Sequence, residues 1–79
     1  MSMTVARTVG AFLDHRHGWS RSTHSDGKRF LSYGVVIGQW EDGYVLLPNA
    51  QHQYSRTSSR HRNLLRDMAA ARSIEVVDG

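Results

Sequence analysis

Residues 29–47, with the sequence RFLSYGVVIGQWEDGYVLL, decide the fold of this 79-residue chain. Residues 29–40 are rich in β-branched and aromatic side chains, which favour a strand. The triplet EDG at 41–43 is a short turn signal, and residues 44–47 are again strand-forming. The stretch therefore predicts one long strand, a tight turn and a second strand, paired as a β-hairpin.

A helix and a loop are predicted ahead of the hairpin. Thr4 can cap a helix whose apolar side chains recur at helical spacing as far as Leu13, with Gly18 beyond its end. Residues 18–28 are polar and rich in turn-forming residues, so we expect a loop there.

Three elements are predicted after the hairpin. Residues 51–55 favour a brief third strand, and Thr57 or Ser58 is a suitable N-cap for a second helix. Residues 74–77 alternate in the manner of an edge strand. The apolar stripe of the second helix comprises His61, Leu64, Leu65, Met68 and Ala69.

The predicted fold class is α+β, in the order α-β-β-(β)-α-β. We expect a small antiparallel sheet of three to four strands with two helices packed on it. A length of 79 residues suits one small domain, so residues 1–79 are predicted to form a single unit.

The composition excludes several classes of site. The chain has no Cys, which rules out disulfides, thiolate zinc sites, iron–sulfur clusters and a cysteine nucleophile. No apolar run approaches the roughly 20 residues of a membrane span, and we expect a cytoplasmic protein without a cofactor. The formal charge of +3, with nine Arg and one Lys, favours an anionic partner.

A basic segment lies in the second predicted helix. On that helix, Arg62 and Arg66 are expected one turn apart on the face opposite Leu64 and Met68. With the hydroxyls at the helix start they would suit a phosphate or a partner's carboxylate, although a solvated basic face is the commoner arrangement. The Arg residues of this segment are Arg56, Arg60, Arg62 and Arg66.

A second basic cluster precedes the hairpin and comprises Arg16, Arg21, Lys28 and Arg29. Trp19 lies among these residues and would suit either base stacking or a protein-binding hot spot. The predicted partner-binding residues are Arg21, Lys28, Arg56, Arg60, Arg62 and Arg66, with Trp19 and Trp40 as aromatic anchors.

Metal and catalytic patterns are weak in this chain. His15 and His17 have HxH spacing, but a zinc site would need His24 or His52 from far along the chain, so no metal is predicted. No nucleophile elbow or phosphate-binding glycine loop occurs, and no catalytic residue is assigned. His61 is expected to be hydrogen-bonded and half-buried.

A metal-independent ribonuclease of the small-toxin type is the catalytic alternative. In that alternative His24 or His61 would act as the acid–base group, and Arg60 and Arg62 would hold the phosphate.

Two separated blocks of the chain resemble a family of small domains found in phage and mobile-element proteins. The blocks are SYGVVI at 32–37, followed by Trp40, Gly43 and Leu46–Leu47, and YSRTSSRH at 54–61. The family pattern is SYxTxI, a hairpin, and then YSxTTSxH leading into a helix. The match covers roughly residues 30–65, with Val35 and Ser58 at positions where the family often has Thr. The family brings no established activity, so the resemblance assigns no catalytic residue.

The resemblance implies a short protein encoded by a phage or mobile element. Proteins of this size from that source are often inhibitors of host defence, including anti-CRISPR proteins. We therefore expect a non-enzymatic interaction module that binds an acidic protein surface, such as that of a CRISPR effector complex. A nucleic-acid-binding protein or the ribonuclease toxin is the alternative, and a homodimer is left open.

Overall fold

The chain has an α+β fold, as predicted, but its sheet is larger than predicted. The computed structural model describes residues 4–48 and 56–79, except for the side chains of Arg56 and Ser58. Over these ranges the elements are α1 (Val5–Leu13), β1 (His17–Trp19), β2 (Thr23–Asp26), β3 (Arg29–Ser32), β4 (Val35–Trp40), β5 (Val45–Leu47), α2 (Arg56–Ala71) and β6 (Val76–Asp78).

The sheet follows the chain order from β1 to β6. Strands β1 to β5 form an antiparallel meander, whereas β6 pairs parallel to β5. The prediction of a purely antiparallel sheet was therefore wrong. A strand that returns through a crossover helix such as α2 adds to its neighbour in the parallel sense. The last strand is nevertheless an edge strand, as predicted.

Two of the additional strands lie where a loop was predicted. Gly18 of β1 pairs with Ser25 of β2, and the buried positions of β2 are the small polar residues Thr23 and Ser25. The Ser25 hydroxyl donates to the Arg16 carbonyl at 2.8 Å, which satisfies this group inside the fold. Because the buried side chains of β2 are polar, its sequence does not show the alternation of apolar and polar residues that predicts a strand.

Residues 29–40 form two strands instead of one. The chain turns at Tyr33 and Gly34, whose φ angles of 50° and 79° are both in the left-handed region. Two such residues between antiparallel strands make a type I′ turn, which usually contains Asn, Asp or Gly. The second turn, at 41–43, is confirmed by the Glu41 N–H, which donates to the Tyr44 carbonyl at 2.8 Å. The predicted strand at 51–55 lies outside the described residues.

Both predicted helices are present. The Thr4 hydroxyl caps α1 by accepting the Arg7 N–H at 3.2 Å. Helix α2 begins at Arg56, so Thr57 and Ser58 lie within its first turn and are not its N-cap. No helix in the described ranges is long and apolar enough to cross a membrane.

The described helices cover one face of the sheet and leave the other open. Along the open face the register aligns Trp19, His24, Leu31 and Val36 on neighbouring strands. The core between helices and sheet comprises Val9, Phe12, Leu13, Phe30, Ile37, Val45, Leu47, Leu65 and Ala69.

Candidate partner-binding surface

Two hairpin turns lie side by side at one end of the sheet. The Tyr33 N–H of the β3–β4 turn donates to the Ser22 carbonyl of the β1–β2 turn at 2.8 Å. Between them is an open depression of about 310 Å³, whose lining includes Trp19, Arg21, His24 and Tyr33. We call Trp19, Arg21 and Tyr33 the tip site.

The tip site exposes two large aromatic side chains. Tyr33 is 62% exposed and Trp19 is 56% exposed, more than any other large hydrophobic residue in the described part of the chain. An aromatic side chain offers a large apolar area with a polar atom at its edge, so it gains much free energy when a partner covers it. The arrangement is therefore suited to binding.

His61 supports Tyr33 from beneath. The two rings are stacked with centroids 6.3 Å apart, and His61 Nδ1 is 2.8 Å from the buried Ser32 hydroxyl. Burial lowers the pKa of His61, which favours the neutral imidazole. His61 is hydrogen-bonded as predicted and is more than half-buried, with 7% exposure.

This contact joins the two blocks that carry the family resemblance. Ser32 and Tyr33 belong to the first block and His61 to the second, so the blocks meet where β3 ends and α2 begins. Ser32 has no exposed surface, so a substrate cannot reach its hydroxyl in this conformation. The Ser32–His61 hydrogen bond therefore ties β3 to α2 in the interior of the fold.

The basic residues Arg62 and Arg66 of α2 lie on the side of the helix away from Leu64 and Met68, as predicted, but they are half-buried. The buried stripe between the two sides is His61, Leu65 and Ala69. Arg62 and Arg66 both donate to Asp78 Oδ1 of β6, at 2.9 and 2.6 Å. We call this group of three the α2–β6 corner.

Arg60 of α2 is not part of this corner. Arg60 is exposed and forms no ion pair with a described acid, and it precedes the residue that stacks on Tyr33. The side chain of Arg56 lies outside the described residues. Arg60 is thus the described α2 cation that is available at the same end of the molecule as the tip site.

The first basic cluster is divided between the two ends of the sheet. Arg21 lies at the tip site, whereas Lys28 and Arg29 follow the opposite end of β2. Arg16 lies 3.1 Å from Asp14, and Arg29 lies 3.3 Å from Asp26. The first basic cluster therefore does not form one continuous patch.

The acids beside these cations are held in the ionised form. The Arg16 guanidinium, with Arg72, lowers the pKa of Asp14. Backbone N–H donors from Arg29 and Lys28 lower the pKa of Asp26. Four of the described Arg and Lys side chains form no ion pair with a described acid: those of Arg7, Arg21, Lys28 and Arg60.

Trp40 belongs to the interior contacts and is not an exposed anchor. Its indole Nε1 donates to the Phe12 carbonyl at 2.8 Å, and its ring stacks on His15 at 4.3 Å. The side chain is half-buried and holds the end of α1 against β4.

No metal-binding arrangement was found where the chain is described. Within residues 4–48 and 56–79, no group of three or more His, Cys, Asp or Glu side chains is placed to hold an ion. His15 stacks on Trp40, and His24 lies in the depression.

Tyr33 is the functional candidate that the sequence-based selection of site residues missed. The available signal was the dipeptide Tyr33–Gly34 in a stretch of otherwise strand-forming residues, since a glycine there indicates a turn. Comparison of the chain with protein-family models, with curated proteins and with solved structures found no match.

Proposed function

We propose that this chain is a non-enzymatic interaction module of a phage or mobile element that inhibits host defence, in the manner of an anti-CRISPR protein. The observation that carries the proposal is the exposure of Trp19 and Tyr33 around one depression, next to Arg21. Trp, Tyr and Arg are the residue types most enriched in protein-binding hot spots. The mobile-element origin rests on the resemblance of residues 32–37 and 54–61.

The backbone at Tyr33 supports a role beyond stability. A left-handed conformation costs an ordinary residue roughly 1–2 kcal/mol, and Asn or Gly would relieve much of that cost at this turn position. Tyr33 has φ 50° and an exposed ring, so the strain is associated with a side chain that a partner could contact and that is not part of the core.

The distribution of charge favours an acidic protein surface over nucleic acid. Arg16, Arg29, Arg62, Arg66 and Arg72 are each within ion-pair distance of an Asp. Nucleic-acid affinity depends on many cations that are free to contact phosphates. Among the described residues, Arg21 lines the depression without an ion-pair partner and Arg60 is exposed next to His61, which suits a few charged contacts around an aromatic anchor.

The ribonuclease alternative has less support. His61 is buried, and Arg62 is paired with Asp78. His24 faces the open side of the sheet, whereas Arg60 is on a helix that covers the other side. These groups are not gathered around one position for a phosphate.

A phage-plating assay tests the proposal. The chain is expressed in bacteria that carry a CRISPR system targeting a lytic phage, and plaques are counted against an empty vector. We expect the wild-type chain to restore plating, and the double variant Trp19→Ala/Tyr33→Asn to lose at least tenfold of that restoration. The matched control is Val77→Thr, which alters an exposed apolar residue on the far edge of the sheet.

A binding measurement with the purified effector complex accompanies the assay. The wild-type chain is expected to co-elute with the complex, and the double variant is expected to elute alone with an unchanged circular dichroism spectrum. Absence of restored plating against every immunity type tested would contradict the proposed function. Full activity of the double variant would instead contradict the assignment of the tip site.

A further inference from the structure

Another depression lies where α1 packs against α2, away from the tip site. It has a volume of about 370 Å³ and shares no lining residue with the depression at the tip. We call it the helix groove. Its lining combines four charged residues, Arg7, Asp14, Arg16 and Arg72, with four small or apolar ones, Ala6, Gly10, Ala11 and Met68.

Asp14 holds two guanidinium groups side by side at the helix groove. Arg16 donates to its Oδ2 at 3.1 Å and Arg72 donates to its Oδ1 at 2.8 Å, so each carboxylate oxygen has one Arg partner. The second terminal nitrogen of Arg72 lies over α1, where a Cβ added at Gly10 would be 3.4 Å from it. The remaining N–H donors of Arg16 and Arg72 bind no described residue and are available to a ligand.

Arg7 adds a third guanidinium without an ion-pair partner among the described acids. Arg16 and Arg72 follow the C-terminal ends of α1 and α2, where a cation also stabilises the helix. Arg7 lies in the first turn of α1, which contains no acid and where the helix dipole opposes a cation. Helix stability therefore does not account for Arg7.

The helix groove keeps an excess of positive charge after its ion pairs are counted. Three Arg side chains and one Asp side chain line it, which leaves a formal charge of +2. Both oxygens of Asp14 are already engaged, so this carboxylate orients two of the cations but cannot neutralise all three. A second anion in the groove would relieve the repulsion between the guanidinium groups.

We infer that the helix groove binds a small phosphate monoester, with the phosphate group held by Arg7, Arg16 and Arg72. The charge of such a phosphate, about −2 at neutral pH, balances that of the groove. The planar guanidinium group matches the spacing of phosphate oxygens and can donate two parallel hydrogen bonds to them. The apolar surface of Ala11 and Met68 next to these cations accommodates the organic group of the ester.

An NMR titration of the isotopically labelled wild-type chain tests the inference, with phenyl phosphate as the probe at pH 7.5 and low salt. The amide signals of Gly10, Ala11 and Arg72 should shift together and saturate, with a dissociation constant below about 1 mM. Benzenesulfonate has the same ring and a single charge, and it should bind at least about fivefold more weakly. Inorganic phosphate lacks the ring and should also bind more weakly.

Removal of the unpaired cation tests the assignment of the phosphate group. Arg7→Gln should weaken the binding of phenyl phosphate at least about fivefold, because one of three charged donors is lost. The matched control is Arg60→Gln, which removes an equally exposed and unpaired charge near the other end of α2 and should leave the affinity unchanged. Equal weakening in both variants would indicate a response to net charge alone.

A second pair of variants places a competing acid in the helix groove. Ala6 is exposed in the first turn of α1, where a carboxylate favours the helix, so Ala6→Glu should fold like the wild type. The new carboxylate should abolish saturable binding of phenyl phosphate below about 1 mM, whereas the neutral Ala6→Gln should retain it.

Several outcomes would overturn the inference. They are the absence of saturable shifts at the groove amides, equal affinity for benzenesulfonate or inorganic phosphate, and unchanged affinity in Arg7→Gln. Equal affinity for a short single-stranded DNA, whose phosphodiesters carry one charge each, would assign the groove to nucleic acid instead. The variant Trp19→Ala/Tyr33→Asn should bind phenyl phosphate like the wild type, so this test is independent of the proposed function.

Discussion

The tip site and the α2–β6 corner show how similar residues can serve different purposes. Arg21 at the tip has no described ion-pair partner, whereas Arg62 at the corner donates to Asp78. Both Arg residues lie in basic segments of the sequence without a neighbouring acid. The difference arises because β6 brings an acid from 16 residues further along the chain to Arg62. Whether an Arg side chain is free to contact a partner therefore depends on which strands the fold brings beside it as much as on the local composition.

Removal of the side chain beneath the tip site should have the largest effect on stability. His61→Ala removes the ring beneath Tyr33, the hydrogen bond to Ser32 and part of the packing of α2. We expect a loss of about 2–3 kcal/mol in the free energy of unfolding, because a cavity and a lost hydrogen bond add together. Urea denaturation measures this loss, and an unchanged midpoint would show that the stack does not support the tip.

The same residue should make stability depend on pH. Burial lowers the pKa of His61 below its ordinary value of 6.5. When the pH falls below about 6.5, the unfolded chain binds a proton at this position that the folded chain does not bind, so stability decreases. Above that pH the contribution is constant. The control is His61→Gln, in which the difference between urea midpoints at pH 7.5 and pH 5.5 should be smaller than in the wild type.

Removing the shared carboxylate of the α2–β6 corner should have a smaller effect on stability and should raise the net positive charge. Asp78→Ala leaves Arg62 and Arg66 without their shared carboxylate, and we expect a loss of about 1 kcal/mol, because these pairs are partly exposed. The freed cations should also delay elution from a heparin column. Arg21→Ser is the control and should elute earlier than the wild type; equal retention of Asp78→Ala and wild type would argue against the pairing.

Replacing the strained tyrosine should separate stability from function. Tyr33→Asn introduces a residue that favours the type I′ turn, so the free energy of unfolding should stay level or rise by up to about 1 kcal/mol. Partner binding should be lost in the same variant. A thermal melt and the phage-plating assay measure the two effects, and a destabilised variant would show that the ring serves the fold instead.

The smallest effect on stability is expected at Ser73, where a left-handed backbone conformation is not accompanied by a side-chain contact. Ser73 has φ 57° after the end of α2, and the Ile74 N–H donates to the Ala69 carbonyl at 2.9 Å in a Schellman cap. Ser73→Gly should raise stability by about 0.5 kcal/mol without changing partner binding. His15, also at φ 57° after α1, stacks on Trp40, so His15→Gly should bring no gain in a parallel thermal melt.

Local signals in the sequence predicted the local parts of the fold. The Thr4 cap, the turn at 41–43 and the existence of α2 depend on residues close together in the chain, and each is present. The strands β1 and β2 were missed because their inward positions are glycine and small hydroxyl residues whose burial depends on α1. The turn at Tyr33 was missed because tyrosine rarely adopts its conformation.

The candidate site was predicted only in part. Trp19 and Arg21 were selected from composition, and both line the depression. Tyr33 was not selected because its exposure follows from a turn within a stretch of strand-forming residues. The pairing of Arg62 and Arg66 with Asp78 depends on a parallel strand that no periodicity predicts.

The parallel pairing of β5 and β6 has a consequence for the order of folding. Strands β1 to β5 pair with their sequence neighbours, so each step closes a short loop at low entropic cost. Strand β6 can join β5 only after the chain has traversed residues 48–75, so we expect it to form last and to open first. In native-state hydrogen exchange, the amides of β6 should exchange before those of β3 and β4, because the interior strands open only when the whole sheet unfolds.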